Sequence, residues 1–296
     1  MRWVPLAREE SKALLTTKGV WILAVALLLW TYRPMYIAWE QLNSDMTIGF
    51  IQYSSELLFP LAAVILGYRA IVAEQVSGSL KFILSLPLTR GEILLGKFVG
   101  RTIGIAIPCF LAFGIITVIG ILQYGLFSPL RYLGVLVITL LYLAVLVSVV
   151  TSISTLVNRT ATAAATLFIG LILIFEIAWE ELVTVFYYLM TGIQVNRLDP
   201  PPEGGLFLLE RLSPSGAYNT ITNWILDAGN SASIHSQVLT EIQPGSTTNI
   251  LAVETAFSPE SVPLYLHESV GILILGLWGL VPLTIAYYSF NKGDLE

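Results

Sequence analysis

Six apolar runs, each long enough to cross a lipid bilayer, constrain this chain more than any other feature; they lie at roughly 19–39, 57–73, 103–122, 133–156, 162–181 and 270–290. A hydrocarbon layer of about 30 Å needs about 20 mostly apolar residues as helix. With 55% apolar and only 12% charged residues, the 296-residue chain carries more apolar surface than one globular core could hide, so the surplus faces lipid. The expectation is an all-α polytopic membrane protein of six transmembrane helices, a single permease-sized domain over 1–296.

Arg2, Arg8, Lys12 and Lys18 precede the first apolar run in the manner of a signal peptide, but no small-residue cleavage pattern follows and the run continues through Tyr36 to Trp39. It reads as a retained helix, kinked at Pro34, with Arg33 snorkelling to the interface. The single cysteine, Cys109, falls inside the third span, which excludes a disulfide framework and a cysteine metal site.

If residue 1 is inside, the inner segments hold eleven of the 15 Lys and Arg, and the outer ones only Arg33, Arg131, Arg197 and Arg211. This positive-inside bias makes both termini cytoplasmic in the cell membrane. The outer segments are acidic, with Glu40, Asp45, Glu56, Asp199, Glu203 and Glu210 among them, a balance suited to high ionic strength.

Two elements stand outside the spans: an inner one formed by residues 1–18 with the 74–101 loop, and an outer loop over 182–269. In the inner loop Ser77-Gly78-Ser79 offers a turn, Leu80, Phe82, Ile83, Leu84 and Leu86 a short apolar face, and Pro87 a stop. Thr89 then caps a second helix from Arg90, with Glu92 in its first turn and Lys97 and Arg101 leading into the bilayer.

The string Glu74-x-x-Ser-Gly78-Ser-Leu80-x-x-x-Leu84-Ser-Leu-Pro87-Leu-Thr-Arg90-x-Glu92-Ile-x-x-Gly96-Lys97 resembles the signature between the second and third spans of type-2 ABC transporter permeases. The segment from Ala7 to Lys18 is similar to the amphipathic elbow helix that opens that family, and the likeness covers the first 180 residues and the final helix. One departure is Lys81, where the family often carries an acid. The resemblance implies that 74–86 is a coupling helix seated on a cytosolic ATPase, with Glu74, Gly78, Leu80, Lys81, Phe82, Leu84, Pro87, Arg90 and Glu92 as contact or shaping residues. It further implies a second permease copy, ATP and Mg bound by the partner ATPase and no cofactor in this chain, and export as the direction.

Other motifs carry less. Gly91 to Phe98 nearly spells a phosphate loop but offers Phe98 where a hydroxyl must ligate magnesium. Asn158-Arg-Thr160 is a sequon placed on the inner side. His235 and His267 lack partners at metal-ligand spacing and read as surface histidines, so no metal site is expected. Glu176 is different: about 21 Å along the fifth span at 1.5 Å per residue, with Glu180 one turn above on the same face, it is a candidate for lining a substrate path.

In the outer loop, Leu206–Pro214 and Ala217–Leu226 read as two apolar helical pieces lying on the membrane or dipping into it, and 228–261 as a polar cap or partner-binding surface. The function read from these features is the membrane subunit of an ATP-driven exporter. A receptor or assembly protein using the outer loop, and a membrane-embedded enzyme, are the other classes the chain admits.

Overall fold

The computed structural model describes residues 2–31, 39–85, 87–242 and 249–292, the side chains of 39–41 excepted. The expected kink at Pro34, the snorkelling of Arg33 and the contribution of Leu86 lie outside the described residues. The architecture is all-helical. Five helices are long and apolar enough to cross a membrane, or six if a bent N-terminal pair counts as one span.

That pair is α1 (Val4–Leu15) and α2 (Lys18–Thr31), set at 65° to each other. The first of the pair packs on α6 (Arg90–Tyr124), where Gly96, Gly100 and Gly104 recur every four residues. A Cβ at Gly100 would fall 2.5 Å from the Ala7 carbonyl, and one at Gly104 2.9 Å from Leu14 Cβ. The small-residue stripe lets α1 lie directly on the backbone of α6, burying Ala7 and Leu14.

The second span differs from expectation. Instead of 57–73, α3 runs Met46–Gly67. Its first half carries Thr47, Gln52, Ser54 and Ser55, which depress local hydropathy, yet all four are buried against protein. The sequence therefore hides a membrane helix whose polar residues face protein: Gln52 donates to Thr222 and Asn223 of the cap, and Ser54 to the Phe50 carbonyl of its own helix. Glu56, expected in an outer loop, accordingly sits within α3.

After α3 come α4 (Val72–Ser77) and α5 (Leu80–Leu84), then α6, then α7 (Pro129–Leu156). The fifth span is continuous from Thr160 to Thr191 but changes character: α8 (Thr160–Leu167), a π-helix over Phe168–Ala178, and α9 (Trp179–Thr191). Extended π-helix is rare and gathers at functional sites. The last span is α14 (Val270–Lys292).

Between α9 and α14 the chain builds a folded cap of α10 (Gly204–Arg211), α11 (Pro214–Leu226), α12 (His235–Glu241) and α13 (Val253–Ala256). Helix α11 dips into the bundle. Ser213 caps it by accepting from Gly216 N at 2.9 Å, Pro214 opens it, and its Tyr218 stacks on Tyr142 of α7 with ring centroids 4.4 Å apart. Tyr218 also shares a hydrogen bond with Thr139 at 2.9 Å.

The polar stretch after Ala228 is folded onto this helix. Asn223 Nδ2 donates to the carbonyls of Ser231 and Ser233 at 3.1 and 2.8 Å, and Ser231 pairs with Ala252 in an isolated antiparallel bridge. His235 corrects the sequence reading outright. Its side chain is fully buried, with Nδ1 2.5 Å from Gln52 Oε1, because the cap closes over the start of α3. Burial pushes the His235 imidazole down to about 3, so it is held neutral.

Candidate functional site

Two constellations sit at opposite ends of the bundle. At the end bearing α1 and the close of α14, Gly78 adopts a left-handed conformation (φ 76°) and turns the chain from α4 into α5. Leu80 is buried with Ile93 and Phe290, and Leu6, Ile83, Leu84 and Leu88 pack around them. One face of α5 is thereby anchored to the bundle. The other face presents Lys81 and Phe82, the phenyl ring 77% exposed.

Pro87 lies in an exposed bend before the next helix. Thr89 caps that helix as the sequence predicts: its hydroxyl accepts from Glu92 N at 3.2 Å, and the Glu92 carboxylate accepts from Thr89 N at 2.9 Å. Arg90 donates to the carbonyl of Phe290 and sets its guanidinium 5.6 Å from the centre of that ring, tying the start of α6 to the end of α14.

Glu74 faces inward. Its Oε1 accepts from Lys97 Nζ at 2.6 Å, and Glu10 of α1 accepts from the same ammonium at 2.5 Å. Arg101 lies 3.4 Å from Glu10 and donates to the Leu66 carbonyl near the end of α3 at 2.7 Å. Lys97 is fully buried, so one ammonium joins the elbow helix, the segment leading into α5, and the third span. The near phosphate loop at Gly91–Lys97 is α-helix, with this lysine committed to carboxylates. Sequence inspection found Glu74 and Lys97 as a motif but missed Glu10 as their partner; its signal was a carboxylate on the apolar side of an amphipathic helix.

At the opposite end, Glu56 of α3, Glu176 of the π-helix, Glu180 of α9 and Glu210 of α10 line one cavity of about 250 Å³. Glu176 and Glu180, expected on one face, are both there. Glu56 and Glu210 were not singled out from sequence, because the first was assigned to a loop and the second to a surface acid. Arg197 joins them, 3.3 Å from Glu180 and 3.2 Å from Glu210. Burial pushes Glu210 up to about 8 despite that arginine, and pushes the neighbouring Arg211 down to about 10.

Glu56 accepts from Asn219 Nδ2 of α11 at 2.6 Å. The hydroxyls of Tyr142 and Ser215 approach the Glu176 carboxylate, yet its Oε1 is buried with no partner at hydrogen-bond distance. Aromatic rings close the wall: Phe175 packs against Trp179 at 5.0 Å and edge-on to Trp278 at 4.9 Å. Trp179 is held in place through Nε1, which donates to the Leu209 and Glu210 carbonyls at 3.2 and 3.1 Å. Among the described residues, no group of three or more His, Cys, Asp or Glu converges closely enough to hold a metal ion.

A multi-pass helical bundle with an anchored, outward-facing short helix at one end and a polar cavity at the other is the architecture of a polytopic membrane protein. The sequence model described as ABC-2 family transporter protein matches residues 5–295, and the chain belongs to that family. Over 118 residues it is 36% identical to the probable ABC transporter permease protein NosY of Stutzerimonas stutzeri, covering 37% of this chain and 42% of that one. Over 121 residues it is 32% identical to the protein of the same description from Pseudomonas aeruginosa, covering 38% and 42%. The matched stretch thus spans well under half the length of these curated relatives.

Proposed function

We propose that this chain is the permease subunit of an ATP-driven exporter in the cell membrane, both termini cytoplasmic, working as a homodimer with two copies of a separate ATPase. ATP and Mg are bound by that ATPase, and this chain itself catalyses no reaction. The probable permease description of the two relatives and the family membership support an ATPase partner.

The observation that carries the reading is the two-sidedness of α5. Leu80, Ile83 and Leu84 anchor it in the bundle, while Phe82 stands exposed beside Lys81 on the side away from that anchor. A short helix held rigidly on one side and offering an aromatic anchor on the other suits docking into a groove of a partner. Gly78 shapes the approach, Pro87 and the Thr89–Glu92 cap fix the exit, and Arg90 ties the unit to α14. Motion of the ATPases would move α5, and through α6 the bundle.

Gentle purification of the tagged protein from its own membranes is expected to bring down a near-equimolar protein bearing a phosphate loop. Phe82→Ala is expected to weaken that association at least about tenfold, as loss of an interface anchor does. Leu84→Pro should abolish it, with membrane insertion intact. Undiminished association in both variants would refute the coupling role of α5.

Glu176 and Glu180 form part of the substrate path in this reading, because an intramembrane carboxylate lining a cavity is costly unless it is used. Glu176→Gln is expected to alter transport while leaving the complex assembled; unchanged transport would remove it from the path.

A further inference from the structure

We infer that the cavity between the π-helix and the cap is a binding site for a small organic cation, an alkylammonium group. The inference rests on the reading of Glu176 as lining the substrate path and names the chemistry that the path accepts.

Four carboxyl groups line one cavity, and among the described residues a single cation, Arg197, pairs with any of them, engaging Glu180 and Glu210. Glu56 and Glu176 have no cationic partner among the described residues, and Glu56 is satisfied on one oxygen by Asn219. Glu176 presents one buried oxygen, Oε1, with no partner at hydrogen-bond distance, the hydroxyls of Tyr142 and Ser215 standing near the same carboxylate. Leaving such an oxygen unmatched is costly, so the site is completed by a donor or positive charge from outside the chain.

The kind of cation follows from spacing and size. The acids line the same cavity, yet no three converge to metal-chelating distance, so a compact inorganic ion would touch too few of them at once. About 250 Å³ corresponds to roughly eight waters, room for a substituted nitrogen rather than a bare ion. Phe175 and Trp179 line the same cavity, and Trp179 is locked in orientation by two backbone carbonyls. Fixed aromatic faces beside carboxylates are the chemistry that recognises ammonium groups, by cation–π attraction and charge. The rare π-helix supplies Phe175 and Glu176 together.

The test uses the full-length protein in nanodiscs of zwitterionic lipid, with tetramethylammonium as the probe and saturation-transfer NMR as the readout. Saturable binding is expected, with no binding of tert-butanol, a neutral molecule of similar shape. Glu176→Gln should weaken the affinity at least about tenfold, as loss of one buried charge contact does, and Trp179→Leu should weaken it as well, whereas Glu260→Gln, at an exposed turn that does not line the cavity, should not.

Absence of saturable binding, or equal displacement by potassium and magnesium at matched ionic strength, would overturn the ammonium assignment. That failure is separable from failure of the path. Should Glu176→Gln alter transport while wild-type protein ignores tetramethylammonium, the path stands and the cation class falls; should binding be strong and transport indifferent to Glu176→Gln, the site stands apart from the path.

Discussion

Replacing Lys97 by methionine is expected to destabilise the protein by about 3–5 kcal/mol, the cost of leaving buried carboxylates without their counter-charge. Two of them lose it at once, since Glu10 and Glu74 both accept from the one ammonium, at 2.5 and 2.6 Å. The loss should appear as a lower unfolding midpoint in detergent. It should also release α1 from α6 and loosen α4, so ATPase association should fall even though Phe82 is untouched. A triple variant that also carries Glu10→Gln and Glu74→Gln should recover most of the stability, because neutral amides need no counter-ion. A single Lys97→Met variant with an unchanged midpoint would mean that the three groups are solvated and do not act as a hub.

Gln52→Leu is expected to have the next largest effect, about 3 kcal/mol, since it strips partners from several buried polar groups at about 1–3 kcal/mol each. Gln52 Nε2 donates to Thr222 Oγ1 at 2.6 Å and Asn223 Oδ1 at 2.8 Å, while Gln52 Oε1 meets His235. These contacts pin the cap to α3. Hydrogen exchange should rise in α11 and α12 and stay unchanged in α1 and α6; protection retained throughout would show that the cap is held by its apolar contacts alone.

The same seam gives a pH dependence with a definite sign. His235 is depressed from its ordinary 6.5 to about 3, so the folded cap binds a neutral imidazole and the unfolded chain binds protons first. Its contribution to stability is complete above pH 6.5 and declines as pH falls from there toward 3. Glu210, raised to about 8, works in the opposite sense, its share being complete below its ordinary range and lost as pH rises toward 8. The histidine part is therefore the difference between wild type and His235→Gln: the wild-type cap should lose more protection between pH 7 and pH 5 than the variant does. Parallel pH profiles would remove His235 from the account.

Much of this molecule is legible in its sequence, and the illegible parts share a cause. The capping box at Thr89 and Glu92, the turn at Gly78 and the spans Arg90–Tyr124, Pro129–Leu156 and Val270–Lys292 are local and follow from the residues. The fifth span, by contrast, runs on to Thr191, past the expected 181 and into the expected outer loop. The start of α3 is not local, because Gln52, Ser54 and Ser55 look like loop until Thr222 and Asn223 arrive from 170 and 171 residues away. His235 looks like a surface histidine for the same reason. Of the four cavity acids, Glu176 stood out by its place in an apolar run, whereas Glu210 is an ordinary loop acid until Arg197 and the cap enclose it.

Hydropathy, helix length and capping are properties of neighbouring residues, and so sequence alone determined the membrane-spanning class, the capping box before α6 and the family resemblance. Which polar residues are buried, which acids share a cavity and which lysine binds three elements together depend on contacts between segments far apart in the chain. Those energies exist only once the segments pack, and the tertiary structure alone decided them.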